Sequence, residues 1–186
     1  MVVRVVEIIK EAARLLGIKE IVNDINNKVY ESEEIDNMLM AVNMVNNNIA
    51  SNYIELIYTK DVSSINDVIP FNSICEDGII SIKSVVEKLG TVKKKFSIKG
   101  DGVHVESGFY TVEYSCFPKT LEIGSYIDCY TKINCNLFAL GVVSEYLFLK
   151  GDIEEAYIWD KRFKQSLLSV LKTNKKPFIM PRRRWS

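Results

Sequence analysis

The hydrophobic pattern of the chain changes its period twice, and this change limits the folds that the chain can adopt. Apolar residues recur at the 3.6-residue spacing of a helix in residues 2–16 and in long stretches that begin near residues 32, 131 and 152. Between about residues 67 and 118 they alternate with polar residues, and glycine-containing turn sequences separate the alternating runs. The chain is therefore predicted to be an α+β protein with its strands between two helical parts.

Residues at the ends of the helical stretches predict where the helices begin and end. Gly17 and Gly151 each follow a helical stretch and favour the left-handed conformation of a C-cap. Ser32 is a good N-cap for a helix predicted to continue to about Tyr58, while the Asn-rich residues 18–31 are predicted to form a connection. The joint at Gly151 is so short that the last two helices are predicted to form an antiparallel hairpin.

These patterns predict a mainly helical bundle of about four helices that carries a small antiparallel β insertion and an extended C-terminal arm. The predicted segments are N-terminal helices of the core in residues 1–66, a β-hairpin insertion in residues 67–118, a C-terminal helix pair completing the core in residues 119–172, and an extended basic and aromatic arm in residues 173–186. We expect the first and last helices to share one core while the β segment stands apart.

Charge is unevenly distributed although the chain is neutral overall. The sequence contains 24 basic and 24 acidic residues, and residues 172–186 contain six of the basic residues and none of the acidic ones. Residues 1–171 therefore carry a formal net charge of −6. An acidic body with a basic end suggests that the end docks on an acidic surface, such as that of a neighbouring copy in an oligomer.

The C-terminal arm, residues 173–186, combines basic residues with large apolar residues and two prolines, Pro177 and Pro181. The prolines and the lack of a period predict an extended segment, and Arg and Trp are residue types enriched at interface hot spots. Binding to a protein, binding to nucleic acid and plain disorder all remain open for it. The residues predicted to bind a partner are Lys175, Lys176, Phe178, Met180, Arg182, Arg183, Arg184 and Trp185.

Residue types that often carry catalysis have structural explanations in this chain. His104, the single histidine, alternates with Val103 and Val105 on a predicted strand, and nothing in the sequence suggests a triad around it. The carboxylate pairs Glu33-Glu34 and Glu154-Glu155 both lie in the first turn of a predicted helix, where acidic residues complement the helix dipole. We therefore predict no catalytic residues and a protein that is not an enzyme.

Neither a cofactor nor a metal ion is expected. Residues 100–102 lack the pattern of a phosphate-binding loop and join two predicted strands. The four cysteines form no CxxC pair and are predicted to be reduced, mostly buried thiols. Residues 93–95, three consecutive lysines, are predicted to guard a strand edge, with contacts to nucleic acid or to a protein as alternatives.

The sequence also gives expectations about targeting. Charged residues interrupt the apolar pattern of residues 1–16, so a signal peptide is not expected. A membrane span is not expected either, because no uncharged apolar run reaches about 18 residues.

Three parts of the sequence resemble the head–tail connector proteins of tailed bacteriophages, a family also called adaptor, head-completion or tail-accessory proteins. The first part is the opening helix in residues 5–18, and the second is the strand end in residues 112–118 with its Y-x-x-x-P pattern. The third is the helix pair around residues 151–163, followed by the basic and aromatic residues 181–185. As an order of elements, the resemblance covers most of the chain.

The resemblance implies a structural virion protein of the phage neck, at the head–tail junction, which is in the host cytoplasm during virion assembly. It implies a homo-oligomeric ring, commonly a dodecamer, that binds the portal protein above and tail or further neck proteins below. DNA would pass through the lumen during genome ejection without sequence-specific contact. The C-terminal arm would reach the portal or a neighbouring subunit.

Two alternatives to this function follow from the residues. The main one is a DNA-binding or DNA-packaging accessory protein that acts through the basic arm. A more remote one is a small enzyme with a substrate pocket under the β insertion.

Overall fold

Helices form where the sequence carries the 3.6-residue period. The computed structural model describes residues 2–88, 90, 92–127, 130 and 132–172, and six helices are present in this part of the chain. They are α1 (Val5–Leu16), α2 (Lys19–Asn26), α3 (Glu33–Asn52), α4 (Phe71–Ile74), α5 (Cys135–Lys150) and α6 (Ile153–Lys172).

Short antiparallel strands make up the rest of the regular structure in the described residues. They are β1 (Val3–Arg4), β2 (Ile57–Ser64), β3 (Val68–Ile69), β4 (Ile79–Glu87), β5 (Ser97–Lys99), β6 (Gly102–His104), β7 (Gly108–Cys116) and β8 (Tyr126–Ile127). β1 pairs with β8, and the others form two three-stranded sheets with the orders β2-β7-β4 and β3-β6-β5. The predicted α+β class is confirmed, whereas the prediction of a simple four-helix bundle is wrong.

The chain divides into two compact units. The helical unit takes its described residues from 1–45 and 121–186, and the β unit takes its described residues from 46–120. The predicted boundary between residues 66 and 67 falls inside the β unit, because β2 is already a strand at Ile57. Residues 57–64, which the sequence pattern grouped with the N-terminal helices, form strand β2.

Helix α3 ends earlier than its periodicity predicts, and the local sequence explains why. The backbone N–H groups of Tyr53 and Ile54 both donate to the carbonyl oxygen of Ile49, at 3.0 and 2.9 Å, and this closes the last turn. The residues that follow include Ile57, Tyr58, Thr59 and Val62, which are β-branched or aromatic and favour a strand.

Helix α2 lies in residues 18–31, which were predicted to form a connection without helix. Its buried residues are Ile21 and Ile25, which stand four residues apart and so share one face of the helix. The asparagines around them are poor helix formers. With only two buried apolar residues, the helical spacing is hard to recognise in the sequence. Burial of Ile21 and Ile25 against the helical unit compensates for that weak propensity.

The predicted helix ends at Gly17, Ser32 and Gly151 are confirmed. Gly17 and Gly151 adopt left-handed φ values of 73° and 86°, which glycine reaches without the steric cost of a Cβ atom. The hydroxyl oxygen of Ser32 accepts a hydrogen bond of 3.3 Å from the backbone N–H of Ile35. This is the bond that an N-cap side chain supplies to the first turn of a helix.

Helix α5 lies at the centre of the packing in the helical unit. It packs against both α1 and α6, and its buried residues occur on all sides, as its apolar sequence predicts. A Cβ atom at Gly141 would lie 3.0 Å from Val45 Cγ1 and 3.1 Å from Phe163 Cε2, so glycine allows α3 and α6 to approach α5 closely. The first and last helices thus belong to one core, joined through α5.

The core of the β unit is formed by side chains from both of its sheets. Tyr110, Val112, Tyr114 and Cys116 of β7 alternate along the strand and are buried with residues of β3, β4 and β6. The predicted hairpin at residues 96–105 is confirmed by the pairing of β5 with β6. At Gly102 a Cβ atom would lie 2.4 Å from the backbone oxygen of Ile69, so this position admits only glycine.

Candidate functional site

The residues predicted to bind a partner lie in the C-terminal arm. All of them fall outside the described residues: Lys175, Lys176, Phe178, Met180, Arg182, Arg183, Arg184 and Trp185. The described chain ends at Lys172, the last residue of α6. The candidate binding surfaces described below are therefore the clefts, exposed apolar side chains and edge strand of the described residues.

Strand β2 forms one edge of the larger sheet in the β unit. It pairs along its whole length with β7, from Ile57 opposite Ser115 to Ser64 opposite Gly108, and the strand order places it at the end of the sheet. Its first five residues are exposed whichever face they point to. An edge strand is a general position at which proteins can add a further strand.

A cleft of about 640 Å³ opens beside the second half of β2. Its walls are formed by β2 itself, by the turn and short strand that follow it, and by Lys88 and Phe109. The turn at residues 65–68 has left-handed φ values of 53° at Asn66 and 62° at Asp67, which Asn and Asp tolerate better than most residues. This tight reversal projects Ile65 at the rim of the cleft.

Two large apolar side chains flank the cleft. Phe109 is 70% exposed and Ile65 is 68% exposed, the highest fractions among the large hydrophobic residues of the described chain. Phe109 lies on the face of β7 that also carries Thr111 and Glu113, opposite the buried face. Contiguous exposed apolar surface, more than a single exposed side chain, can mark a binding site.

A polar network holds one wall of the cleft in place. Asp61 accepts a hydrogen bond of 2.6 Å from the Thr111 hydroxyl and forms an ion pair of 2.8 Å with Lys88. The hydrogen bond from Lys88 is the main cause of a lowered pKa for the Asp61 carboxyl, and that from Thr111 adds to it. Lys88 is tied in turn to β7, since its backbone N–H donates to the Phe109 carbonyl at 3.0 Å.

Sequence reasoning missed Phe109 and Ile65. Both stand next to turn residues, Gly108 and Asn66, and both interrupt a run in which apolar residues should face inward. One feature of the sequence could have revealed Phe109. Phe109 is separated by even numbers of residues from the polar Thr111 and Glu113, so it shares their face of the strand and not the face of Tyr110 and Val112. That phase becomes informative only when the buried face of β7 is known.

The helical unit has its own exposed apolar cluster, at the joint between α5 and α6. Tyr157 is 62% exposed and packs edge-on against Phe148, with ring centroids 5.3 Å apart. Ile153 precedes Tyr157 by one helical turn, and Leu149 lies at the end of α5; both are exposed. Apolar side chains gathered at the end of a helical hairpin suit contact with another protein surface.

A cavity of about 320 Å³ in the helical unit combines cationic and aromatic residues. Arg4, Lys28, Tyr30 and Tyr126 all line it. The Arg4 guanidinium donates to the Tyr126 hydroxyl at 3.1 Å, and its Cζ atom lies 5.5 Å from the centroid of the Tyr126 ring. This lining would suit an anionic group better than an apolar one.

Glu34 joins the start of α3 to the end of α5. Its carboxylate accepts a hydrogen bond of 2.6 Å from Lys150 Nζ and another from the Tyr146 hydroxyl. These bonds, that from Lys150 first, lower the pKa of Glu34 below its ordinary value of 4.5. Desolvation, followed by the hydrogen bond to Glu34, raises the pKa of Tyr146.

The lowered pKa of Glu34 predicts a pH dependence of stability. A carboxyl group with a lower pKa in the folded state stabilises the fold above its unfolded pKa, and that contribution is lost as the pH falls through the folded pKa. Glu34→Gln should therefore cost up to about 1 kcal/mol near neutral pH, because the pair is partly exposed. The cost should decrease as the pH falls below 4.5 and should vanish only below the lower pKa that Glu34 has in the folded state. Urea unfolding of both proteins across this pH range measures it, and a cost that does not change with pH would contradict the account.

His104 takes part in a local hydrogen bond on the surface of the β unit. Its Nε2 atom lies 2.8 Å from Asp101 Oδ1, across the turn that joins β5 to β6. The hydrogen bond from His104 lowers the pKa of Asp101. This contact gives His104 a structural role in its own hairpin.

Replacing His104 with alanine should have little effect. The substitution removes one hydrogen bond at a partly exposed turn, so the free energy of unfolding should fall by less than about 1 kcal/mol. Oligomer formation should match that of the unsubstituted chain, as judged by the mass of the assembled species. A folded His104→Ala protein that fails to assemble would show that the imidazole has a function beyond its hairpin.

The thiols of Cys116 and Cys135 have raised pKa values and are protonated near neutral pH. Desolvation and the neighbouring Cys75 raise the pKa of Cys116 to about 12, and desolvation raises that of Cys135 to about 11. Among the described residues, no group of three or more His, Cys, Asp or Glu side chains could hold a metal ion. Within the same residues, each helix is too short or too polar to span a membrane.

Comparison of the chain with known proteins gives no matching protein-family model and no matching curated protein.

Proposed function

We propose that this chain is the subunit of a ring that connects the head of a tailed bacteriophage to its tail. The ring docks on the portal protein, links the DNA-filled head to tail or further neck proteins, and lines the DNA conduit. In this proposal the helical unit is the core of the subunit, the β unit is its insertion, and residues 173–186 are an extended arm. The activity is structural and needs no catalytic residue or cofactor.

The observation that carries the proposal is the exposed apolar surface on both units. Tyr157 and Ile153 in the helical unit, and Phe109 and Ile65 in the β unit, are large side chains left in water. Removing such side chains from water stabilises an assembly by roughly 25 cal/mol for each Å² of apolar surface. A subunit of a closed ring has two different contact surfaces, one for each neighbour. In such a ring, the exposed apolar side chains of both units could be covered by neighbouring subunits.

The distribution of charge also supports a DNA conduit. Residues 1–171 carry a formal net charge of −6, while the arm and Lys172 carry the compensating positive charge. An acidic body repels the DNA backbone weakly and so lets DNA slide through the lumen. The basic residues are concentrated where a subunit would grip its partners.

The experiment that tests the proposal is native mass spectrometry of the full-length chain, alone and mixed with the portal protein encoded by the same genome. We expect a closed oligomer, a dodecamer in the presence of the portal, and a stable complex of the two proteins. A monomer that does not associate with the portal under either condition would overturn the proposal.

The alternative is a DNA-binding or DNA-packaging accessory protein, favoured by the six basic residues in positions 172–186. Such a protein should bind duplex DNA with an affinity that falls steeply with salt. The slope of log K against log salt concentration would approach about −0.9 for each phosphate neutralised. Tight, salt-dependent DNA binding by a monomeric chain would favour this function over the ring.

A further inference from the structure

We propose that the cavity lined by Arg4, Lys28, Tyr30 and Tyr126 is a binding site for the phosphate group of a small molecule. This phosphate cavity has a volume of about 320 Å³. All of the described residues that line it belong to the helical unit of one chain. The inference is therefore independent of the proposed ring and of the C-terminal arm.

The first argument is that two cations of the phosphate cavity lack an acidic partner. Neither Arg4 nor Lys28 forms an ion pair with a carboxylate of the described residues, and no acidic residue is among the described residues that line the cavity. Both side chains are exposed to solvent, so a ligand can reach them. Two neighbouring cations with no counter-charge favour an anionic ligand.

The second argument is the hydrogen bonding of Arg4 and Tyr126. The Arg4 guanidinium donates to the Tyr126 hydroxyl from Nε at 3.3 Å and from Nη2 at 3.1 Å. These bonds make the hydroxyl an acceptor, and its own hydrogen has no acceptor among the described residues. The remaining N–H groups of the guanidinium also lack one there. The cavity therefore presents charged and neutral donors together, which is the lining that an oxyanion requires.

The third argument is the strained backbone of Lys28. Helices α1, α2 and α5 end with the same pair of backbone hydrogen bonds, and the left-handed residue in this motif is Gly17 in α1, Lys28 in α2 and Gly151 in α5. Lys28 has a φ of 59°, a conformation that is unfavourable for a residue with a Cβ atom. Glycine would close α2 without this strain. A lysine retained at such a position indicates a use for its side chain, which lines the phosphate cavity.

The fourth argument is that the first turn of α1 borders the same cavity. Val6, in this turn, is one of the lining residues, and the N-cap residue Arg4 makes no side-chain bond to the turn. The positive end of the helix dipole therefore adds to the two cations. Glu7, the acidic residue of this turn, opposes them but forms no ion pair with Arg4.

The number and direction of the donors favour a phosphate over a carboxylate. A carboxylate has two oxygens, and a guanidinium alone can satisfy both of them. A phosphate monoester has three terminal oxygens and carries up to two charges, which matches the combination of Arg4, Lys28 and the Tyr126 hydroxyl. A phosphate ion fills only part of 320 Å³, so the atoms attached to the phosphate can lie beside the Tyr30 and Tyr126 rings.

Isothermal titration calorimetry of the full-length chain, at constant ionic strength, tests the class of ligand. The probes are inorganic phosphate, adenosine 5′-monophosphate, adenosine and acetate. We expect both phosphate compounds to bind at least tenfold more tightly than adenosine or acetate. Equal affinity for the two would identify free phosphate as the ligand, and tighter binding of the nucleotide would identify a phosphorylated molecule. Acetate or adenosine binding as tightly as the phosphate compounds would overturn the inference.

Matched substitutions locate the site. Arg4→Gln and Lys28→Gln should each weaken phosphate binding at least tenfold, as expected for loss of one charge-assisted hydrogen bond. Lys19→Gln is the control, because it removes an exposed cation from α2 that does not line the phosphate cavity. Unchanged binding by Arg4→Gln, or an equal loss in Lys19→Gln, would place the phosphate elsewhere, such as on the basic arm, and would overturn the inference.

A second substitution of Lys28 separates its backbone from its charge. Lys28→Gly should raise the melting temperature in phosphate-free buffer, because glycine adopts the left-handed conformation without strain. Lys28→Gln should keep the original melting temperature. Phosphate should raise the melting temperature of the original chain, as a ligand of the folded state does, and should raise that of both variants less. A Lys28→Gly protein that phosphate stabilises as much as the original chain would overturn the role of Lys28, and a lower melting temperature in phosphate-free buffer would contradict the argument from strain.

Discussion

Replacing Phe163 with alanine should lower the free energy of unfolding of the helical unit by about 3–5 kcal/mol. Phe163 is 2% exposed and is among the largest fully buried side chains of the described chain. Its ring lies against the position of Gly141, where α5 has no side chain that could move into the vacated space. The cavity would therefore persist, and its cost adds to the lost burial of the ring.

Urea unfolding followed by circular dichroism measures this effect. The control is Ile158→Ala in the same helix, whose side chain is 55% exposed and whose loss should cost less than about 1 kcal/mol. If Phe163→Ala were no more destabilising than Ile158→Ala, this result would contradict the burial of Phe163 between α6 and α5.

Deleting residues 174–186 should leave the thermal stability of the body nearly unchanged and abolish attachment to portal-bearing heads. Each unit has a set of buried apolar residues outside the arm, and we expect the body to keep this buried surface after the deletion. Ordering the arm on a partner costs on the order of 1–2 kcal/mol for each residue. Burial of Phe178, Met180 and Trp185, with pairing of the arginines, would offset that cost on binding.

Two measurements check this prediction. Differential scanning calorimetry compares the melting temperatures of the full-length and truncated chains, and sedimentation with portal-bearing heads measures attachment. An unfolded truncated protein would show that the arm belongs to the core. Normal attachment of a folded truncated protein would move the anchor to the β unit or to the helix ends.

Much of the helical unit could be predicted because its elements are long and periodic. The stretches that became α1, α5 and α6 carry sustained apolar patterns, and glycine marks the ends at Gly17 and Gly151. Helix α2 was missed because its apolar face consists of only Ile21 and Ile25 among asparagines. Two such residues give too short a period to recognise in the sequence.

Long-range pairing accounts for the other omissions in the fold. Val3 pairs with Ile127 across the chain, and strands of two residues have no period of their own. Asn43 also makes a contact that is distant in sequence. Its side chain donates a hydrogen bond to the Leu121 carbonyl at 3.0 Å and accepts one from the Leu121 N–H at 2.7 Å. Its sequence context marks it only as a poor helix former, since nothing local identifies its partner.

The candidate surfaces were predicted only in part. Composition predicts the arm as a segment for partner binding, and that prediction falls on residues 173–186, outside the described residues. The cleft in the β unit could not be predicted, because its walls come from residues as distant as Asp61 and Phe109. Their proximity depends on the pairing of β2 with β7, which the predicted long helix to Tyr58 had excluded.

Electron cryo-microscopy of the full-length chain bound to the portal tests the central proposal most directly. The account predicts a ring of this chain stacked coaxially on the portal ring, with an open channel, the helical units in contact around the ring and each arm crossing to a neighbour. Particles in which the chain is absent from the portal, or coats DNA without forming a ring, would contradict it.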